Sequence, residues 1–243
     1  AESGPDLVNT LLERALVAGA DYRMGAVTAL QQDGALWHLP EQEAAAPAII
    51  FATGAALKQL GVPGETELAG RGVSQCAFCD GGLYRDKDVL VVGGGDAAFQ
   101  EALHLAEHCA SVTVAIRGPA PRARVDFVER IRAHSNVHVR TGIDVRAIIG
   151  TEGVDAIRLH DQASGSEKDH PIAAVFPFIG LTPQTALAPP EAKRNADGAL
   201  TVGATMQTTL PGLYAIGAAR ADHGGAIADA VADAVAAAQA IAS

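Results

Sequence analysis

One stretch restricts the fold of this chain more than any other: an apolar run at residues 89–92 leads directly into a glycine-rich turn. Gly93, Gly95 and Ala98 fit the pattern G-x-G-x-x-G/A, and residues 96–105 have the composition of a helix. In that context the glycines form a tight turn whose backbone amides face a pyrophosphate at the helix N-terminus. The order strand, turn and helix therefore predicts a unit that holds a dinucleotide.

A pair of cysteines lies just before this unit. Cys76 and Cys79 form a C-x-x-C motif, and Asp80 follows directly. The thiolate is the reactive form of cysteine, and the two-residue spacing permits an intramolecular disulfide. We predict a cycling dithiol rather than half of a structural zinc site, because such a site requires four ligands and the chain has no second C-x-x-C. Asp80 is either a proton shuttle for a leaving thiolate or a solvated cap, and the sequence leaves both open.

Composition and charge exclude several classes of protein. The chain has 243 residues, of which 49% are apolar and 19% charged, as in a well-buried globular protein. Its net charge of −10 argues against nucleic acid or an anionic membrane as a partner. No apolar run approaches the roughly 20 residues that span a bilayer, and residues 1–5 contain no features of a signal peptide. With three cysteines, we expect a protein of the reducing cytoplasm.

The other segments indicate an α/β protein. A helix is expected to begin near Pro5 and Asp6 and to end at Gly19, and Asp33-Gly34 predicts a hairpin turn. Glycine and proline clusters at 61–64 and 180–183 divide the chain into residues 1–61, 62–179 and 180–243, so that the middle segment is inserted between two outer ones. The expected strands are 27–30, 35–39, 48–52, 111–116, 137–140, 145–149, 156–159, 173–178 and 213–217, and an alanine-rich helix closes the chain at 226–242.

The charge after the second strand of the unit indicates which nucleotide it binds. Arg117 follows the glycine turn by about twenty residues, where an acidic residue would hold the ribose of NAD and an arginine suits the 2′-phosphate of NADP. Arg122 and Arg124 add positive charge nearby. The alternative is a group of ordinary surface arginines.

One motif and two further residues have an ordinary explanation. His104, Glu107 and His108 spell H-x-x-E-H, a pattern of zinc peptidases, but the motif lies on a helix where exposed polar residues are expected on one face. We therefore predict no metal site. Cys109 is expected to be a small buried residue, and His223 a surface residue.

Residues 70–81, which contain the C-x-x-C-D motif, and residues 91–98 resemble bacterial low-molecular-weight thioredoxin reductases. The resemblance covers nearly the whole chain, including residues 4–7, 51–55 and 212–217. It implies an α/β fold of two Rossmann-like units, with an NADPH domain inserted into a split FAD domain. It also implies a homodimer that uses NADPH and FAD to reduce a disulfide of a thioredoxin-like protein or of a small molecule.

The resemblance assigns roles to particular residues. It implies Cys76 and Cys79 as the redox-active pair and Asp80 as their acid–base partner. The cofactor-binding residues that it implies are Gly93, Gly94, Gly95, Asp96, Ala97, Arg117, Arg122, Thr53, Gly54, Gly217 and Ala226.

The chain also departs from the family pattern. The family begins with an FAD-binding strand and its own G-x-G-x-x-G, and nothing like it precedes Gly4. The carboxylate expected after Gly217 is replaced by Ala218, and Gly118 stands where a second arginine is expected. We therefore expect this chain to be an N-terminally truncated member that binds FAD poorly by itself and prefers NADPH modestly. A regulatory NADP-binding module without flavin is the alternative, against which the intact C-x-x-C-D argues.

Overall fold

The first part of the chain forms one helix and five short strands. The computed structural model describes residues 4–243, so Ala1 to Ser3, which belong to the stretch without signal-peptide features, lie outside it. The elements are α1 (Gly4–Val17), β1 (Gln31–Asp33), β2 (Leu36–Leu39), β3 (Ala44–Ala46), β4 (Ile49–Phe51) and β5 (Ala55–Leu57).

The hairpin lies at the predicted turn, but its first strand was predicted wrongly. β1 occupies residues 31–33 rather than 27–30, because Asp33 pairs with Leu36 directly across the turn. All three residues of β1 are exposed. A strand without a buried face lacks the alternation of apolar and polar residues by which strands are recognised.

The middle part contains a parallel sheet, a three-stranded antiparallel sheet and three helices. The parallel sheet has the strand order β12-β6-β7-β8, and the antiparallel sheet has the order β11-β10-β9. Helix α4 and strand β11 were not predicted. The elements are α2 (Ala77–Asp80), β6 (Asp88–Val92), α3 (Asp96–Ala106), β7 (Ser111–Ile116), α4 (Val125–Arg132), β8 (Val137–Thr141), β9 (Ile143–Gly150), β10 (Val154–Asp161), β11 (Glu167–Pro171) and β12 (Ala174–Pro177).

Strand β6 is buried on both faces, which explains its continuous apolar sequence. Val89 and Val91 pack with α3 and α4, where Phe99 is fully buried. Leu90 packs on the opposite face, with Ile157 of β10. Successive residues of a strand point to opposite faces, so a parallel strand covered on both sides has no polar side. Because β6 is packed on both faces, the position of the turn that follows it is fixed.

The last part returns to the first. It contains β13 (Leu181–Pro183), β14 (Leu213–Ala215) and α5 (Ile227–Ala242). β14 pairs with β4 in parallel, and β13 pairs with β5 in antiparallel orientation. The chain therefore leaves the outer part at β5 and re-enters it at β13, with the middle part between them.

A small core holds the two outer parts together. Trp37, the one tryptophan of the chain, is 1% exposed and packs with Phe51, Leu213 and Ala215. Its indole Nε1 donates a hydrogen bond to the Pro211 carbonyl at 3.1 Å. None of the helices in residues 4–243 is long and apolar enough to cross a membrane.

Candidate functional site

The two predicted cysteines are joined in a disulfide, as expected. Their Cα atoms are 5.2 Å apart, and they flank the start of α2, where the Cys76 sulfur accepts a hydrogen bond from the Cys79 backbone N–H at 3.1 Å. Cys79 is exposed, whereas Cys76 is half-buried. Glu101 of α3 holds the start of α2 in place, because its carboxylate accepts a hydrogen bond from the Ala77 N–H at 3.0 Å.

Asp80 lies in a hydrogen-bonded network with the disulfide loop. The Ser74 hydroxyl donates a hydrogen bond to the Asp80 carboxylate at 2.6 Å. The Ser74 hydroxyl oxygen also accepts a hydrogen bond from the Cys76 backbone N–H at 3.1 Å. Ser74 is buried, so its hydroxyl is held in place. Ser74 therefore connects the carboxylate to the backbone of the redox pair. The sequence did not single out Ser74 or Glu101, since both act through contacts that depend on the folded loop.

Two large apolar side chains close to the disulfide in sequence are exposed on the protein surface. Phe78, between the two cysteines, is 78% exposed, and Leu83 is 77% exposed. Tyr84 packs edge-on against Phe176, and burial, and to a lesser extent the charge of Asp80, raise the pKa of its phenol. The third cysteine, Cys109, is buried, and burial raises the pKa of its thiol, which keeps it protonated and unreactive.

The glycine turn has the geometry of a nucleotide cradle. Gly93 has a φ of +147°, and a Cβ atom there would lie 2.2 Å from the Phe178 carbonyl oxygen. Ala98 is fully buried against this turn. Gly95 precedes α3, and its missing side chain faces open space with no atom within 4 Å. These are the three roles of the fingerprint: the tight turn, the open approach for pyrophosphate, and close packing of helix on strand.

Substitutions at the two glycines are expected to separate folding from nucleotide binding. Gly93→Ala should destabilise the middle part of the chain, because its Cβ collides with backbone that cannot move away. Gly95→Ala should fold normally, since it has a φ of −98°, yet lose NADPH affinity because the methyl group occupies the approach of the pyrophosphate. Thermal unfolding and NADPH titration of both variants check this. Equal stability losses in the two would contradict it.

The arginines near the turn differ in how they are engaged. Arg117 and Arg122 are exposed, and within residues 4–243 neither guanidinium has a hydrogen bond or an ion pair. The Arg122 backbone N–H donates to the Gly94 carbonyl at 2.7 Å, which places this arginine directly beside the turn. Arg124 pairs with Asp96 at 3.0 Å and is already neutralised. Asp96 also accepts the Arg124 backbone N–H, whereas Ala97 beside it is exposed.

The outer residues implied by the resemblance lie at one edge of the β4–β14 pair. Thr53 and Gly54 follow β4, and Gly217 follows β14, so all three lie at the carboxyl ends of parallel strands, where α/β sheets bind nucleotides. Ala226 begins α5 and is exposed. These residues lie where the resemblance predicts FAD, although Ala218 supplies no carboxylate there.

A buried ion pair, not foreseen from the sequence, ties α5 to this edge. Arg220 donates to both oxygens of Asp233 at 2.7 and 2.8 Å, and the Gly217 N–H donates to the same carboxylate at 3.0 Å. The hydrogen bonds from Arg220, and less strongly that from Gly217, hold the pKa of Asp233 below its usual range, although burial opposes the shift. His223 lies 3.8 Å from Asp233 and is mostly buried, contrary to the surface position expected for it.

Comparison with known proteins shows the relationship. A family model described as pyridine nucleotide-disulphide oxidoreductase matches residues 6–240. The chain is 38% identical to a thioredoxin reductase of Mycolicibacterium smegmatis over 218 residues, covering 88% of this chain and 70% of the relative. It is 34% identical to a thioredoxin reductase of Treponema pallidum over 243 residues, covering 99% and 79%.

A solved structure agrees with the sequence matches. The crystal structure of Lactococcus lactis thioredoxin reductase in its FR conformation superimposes with a TM-score of 0.89 at 30% identity, over 98% of this chain and 79% of that one. The chain belongs to the pyridine nucleotide-disulphide oxidoreductase family, as an FAD- and NADPH-dependent disulfide reductase of the thioredoxin reductase type.

Proposed function

We propose that this protein reduces the disulfide of a thioredoxin-like protein through Cys76 and Cys79. The observation that carries the proposal is a disulfide with one exposed cysteine, Cys79, flanked in sequence by Phe78 and Leu83, each more than three-quarters exposed. A protein partner buries such apolar side chains, whereas a small disulfide needs only the sulfur atoms. The names of the relatives, which are thioredoxin reductases, support the same choice.

The residues of this chain divide the work between binding and thiol chemistry. Gly94 and Gly95 bring backbone N–H groups to the pyrophosphate of NADPH, whereas the Gly93 N–H donates to the Ala115 carbonyl at 3.0 Å and Gly93 forms the tight turn. Arg117 and Arg122 attract the 2′-phosphate. Thr53, Gly54, Gly217 and Ala226 would hold FAD at the β4–β14 edge. FAD, when bound, supplies the relay that accepts a hydride from NADPH and returns two electrons to the disulfide.

We assign the attack on the substrate to Cys79, because it is the more exposed of the two cysteines. Its thiolate bonds to one sulfur of the substrate disulfide, and the other substrate sulfur leaves as a thiolate. Cys76 then attacks Cys79 in this mixed disulfide, which restores the Cys76–Cys79 bond and releases the reduced substrate. Two electrons and two protons pass from the pair to the substrate. Asp80, held by Ser74, accepts and returns the proton of the attacking thiol.

Arg117→Glu is expected to reduce or reverse the preference for NADPH over NADH. The change removes a charge-assisted contact to the 2′-phosphate, of a kind typically worth about 1.5–3 kcal/mol, or roughly one to two powers of ten in affinity. Gly118 beside it limits the preference of the native protein to a modest one. The matched control is Arg132→Glu at the end of α4, which lies at the opposite end of the parallel strands. Unchanged relative dissociation constants in Arg117→Glu would exclude this role.

The choice of substrate is tested by steady-state kinetics with NADPH and FAD present. We expect kcat/KM for oxidised thioredoxin to exceed that for small disulfides, and the double variant Phe78→Ser/Leu83→Ser to lose this advantage while still reducing small disulfides. Equal efficiency with both substrates would favour a small-molecule reductase.

A homodimer and a cytoplasmic location are parts of the same proposal. Poor FAD binding by these residues alone stays a prediction.

A further inference from the structure

The end of α3 and the turn that follows it carry a group of metal-ligand side chains beside the redox site. Glu101 and His104 are three residues apart and share the face of α3 toward α2, whereas Glu107 and His108 lie in the turn after Ala106 rather than on the helix where the sequence predicted them. The His104 ring packs on Phe78, with 4.8 Å between ring centroids, and the His108 ring lies 5.3 Å from that of His104. Phe78 is the residue between the two cysteines. A ligand that restrains the His104 ring therefore also restrains Phe78 and the disulfide loop to which it belongs.

The two histidines and Glu107 place their donor atoms close together. One ligand atom from each of His104, Glu107 and His108 lies within 4.8 Å of the others, and the Glu107 carboxylate is 4.0 Å from the Nδ1 of His104. Ligand atoms around a tetrahedral zinc ion stand roughly 3.4 Å apart, because each is roughly 2.0–2.2 Å from the metal. Small side-chain rotations close that difference. Within residues 4–243 this is the one group of three such side chains that meets this distance.

The surroundings give a hydrated ion access to these ligands. His104 and Glu107 line an open groove of about 540 Å³ between α3 and α4, which Phe78 also borders. Both histidines are half-buried. On an ordinary polar helix face they would be fully exposed, as the sequence predicted. Two imidazoles and a carboxylate suit Zn²⁺ and its neighbours in the transition series, and leave one coordination position for water.

We propose that His104, Glu107 and His108 bind a divalent transition-metal ion such as Zn²⁺ next to the Cys76–Cys79 disulfide. The bound ion fixes the His104 ring against Phe78. The disulfide loop is then less free to move, and its reaction with the substrate disulfide is slower. Binding of the ion is independent of the proposed function, whereas its inhibitory effect rests on it.

The oxidised protein isolates this site from the thiols. In that form Cys76 and Cys79 are joined and offer no thiolate, and Cys109 is buried. Calorimetric titration of the oxidised protein with zinc chloride is expected to show one bound ion per chain. Glu107→Gln, an exposed substitution that leaves packing intact, should weaken binding at least roughly tenfold, since even outer-shell changes cost roughly 10–100-fold. His104→Gln/His108→Gln should abolish it, and His138→Gln on β8 should leave it unchanged.

Kinetics with and without zinc test the inhibitory effect. We expect zinc to lower disulfide reduction by the native protein and by His138→Gln, and to lower it much less in His104→Gln/His108→Gln. No binding to the oxidised native protein, or full binding by the double variant, would overturn the site. Equal inhibition of both proteins would assign the effect to the reduced thiols and overturn the regulatory role. Zinc binding in a protein that reduces no disulfide would leave the site standing and contradict the proposed function instead.

Discussion

Cys76→Ser protein is expected to accumulate a mixed disulfide through Cys79, whereas Cys79→Ser protein is not. The substrate is a thioredoxin with one active-site cysteine, activated as a disulfide with thionitrobenzoate. Cys79 is exposed and attacks it, and without Cys76 the product has no thiol to resolve it. Cys76 is half-buried, so release of thionitrobenzoate by Cys79→Ser should be much slower. Both variants should lose turnover with native thioredoxin by at least roughly a thousandfold, because the removed atoms form and break the bonds of the reaction.

The buried thiol provides the control for this experiment. Cys109→Ala removes a sulfur that is protonated and inaccessible, so turnover should be retained. Gel analysis without reductant and peptide mapping identify the residue in the mixed disulfide. Equal rates of thionitrobenzoate release from the two variants would remove the distinction between Cys76 and Cys79. A conjugate at Cys109 would remove the assignment of the redox pair itself.

The second large effect is expected at Asp233, where Asp233→Ala should lower the free energy of unfolding by about 3–5 kcal/mol. The substitution leaves the guanidinium of Arg220 buried without its partner, and it also removes the acceptor of the Gly217 N–H. Trp37 reports on the transition, because it is buried in the core that contains β14. Urea titration followed by Trp37 fluorescence therefore measures the loss in the outer part of the chain.

Asp229→Ala is the matched control on the same helix. Its carboxylate accepts only the Ala226 N–H at 3.2 Å among the hydrogen bonds of the described chain, so its loss should cost about 1 kcal/mol. The contribution of Asp233 to stability also depends on pH. Because Asp233 has a lowered pKa, its stabilisation is complete above the unfolded-state pKa of about 3.9 and is lost as the pH falls through the lower folded-state pKa. The native protein should therefore lose more stability on acidification than Asp233→Asn. A loss below 1 kcal/mol in Asp233→Ala would contradict the importance of this pair.

Elements with a strong local pattern were predictable from the sequence. The strand, turn and helix from Asp88 to Ala106 were predicted to within a residue, because burial on both faces and the glycine turn are recorded in adjacent positions. β1 and β11 were not, since β1 is exposed throughout and β11 nearly so. Helix α4 buries only Phe127 and Ile131 among charged residues, which leaves too narrow an apolar stripe to identify it.

The site shows the same division between local and distant contacts. Cys76 and Cys79 are three residues apart, so their spacing permits the disulfide, and the absence of a second C-x-x-C favours it over a zinc site. Glu101 reaches Ala77 across 24 residues, and Asp233 reaches Gly217 across 16. Such contacts depend on how helices pack on strands, and residue type alone does not specify them. The family resemblance supplied the roles of residues whose motifs match, and was silent on Asp233.

In the proposed reaction, electrons pass from NADPH to the Cys76–Cys79 disulfide. The direct test is anaerobic addition of NADPH to the FAD-containing protein, followed by alkylation and mass spectrometry. We expect alkylation of both Cys76 and Cys79 after NADPH and of neither before it, with Cys109 unchanged throughout. NADPH oxidation that leaves the disulfide intact, or that produces a new thiol only elsewhere, would contradict electron transfer to the Cys76–Cys79 pair.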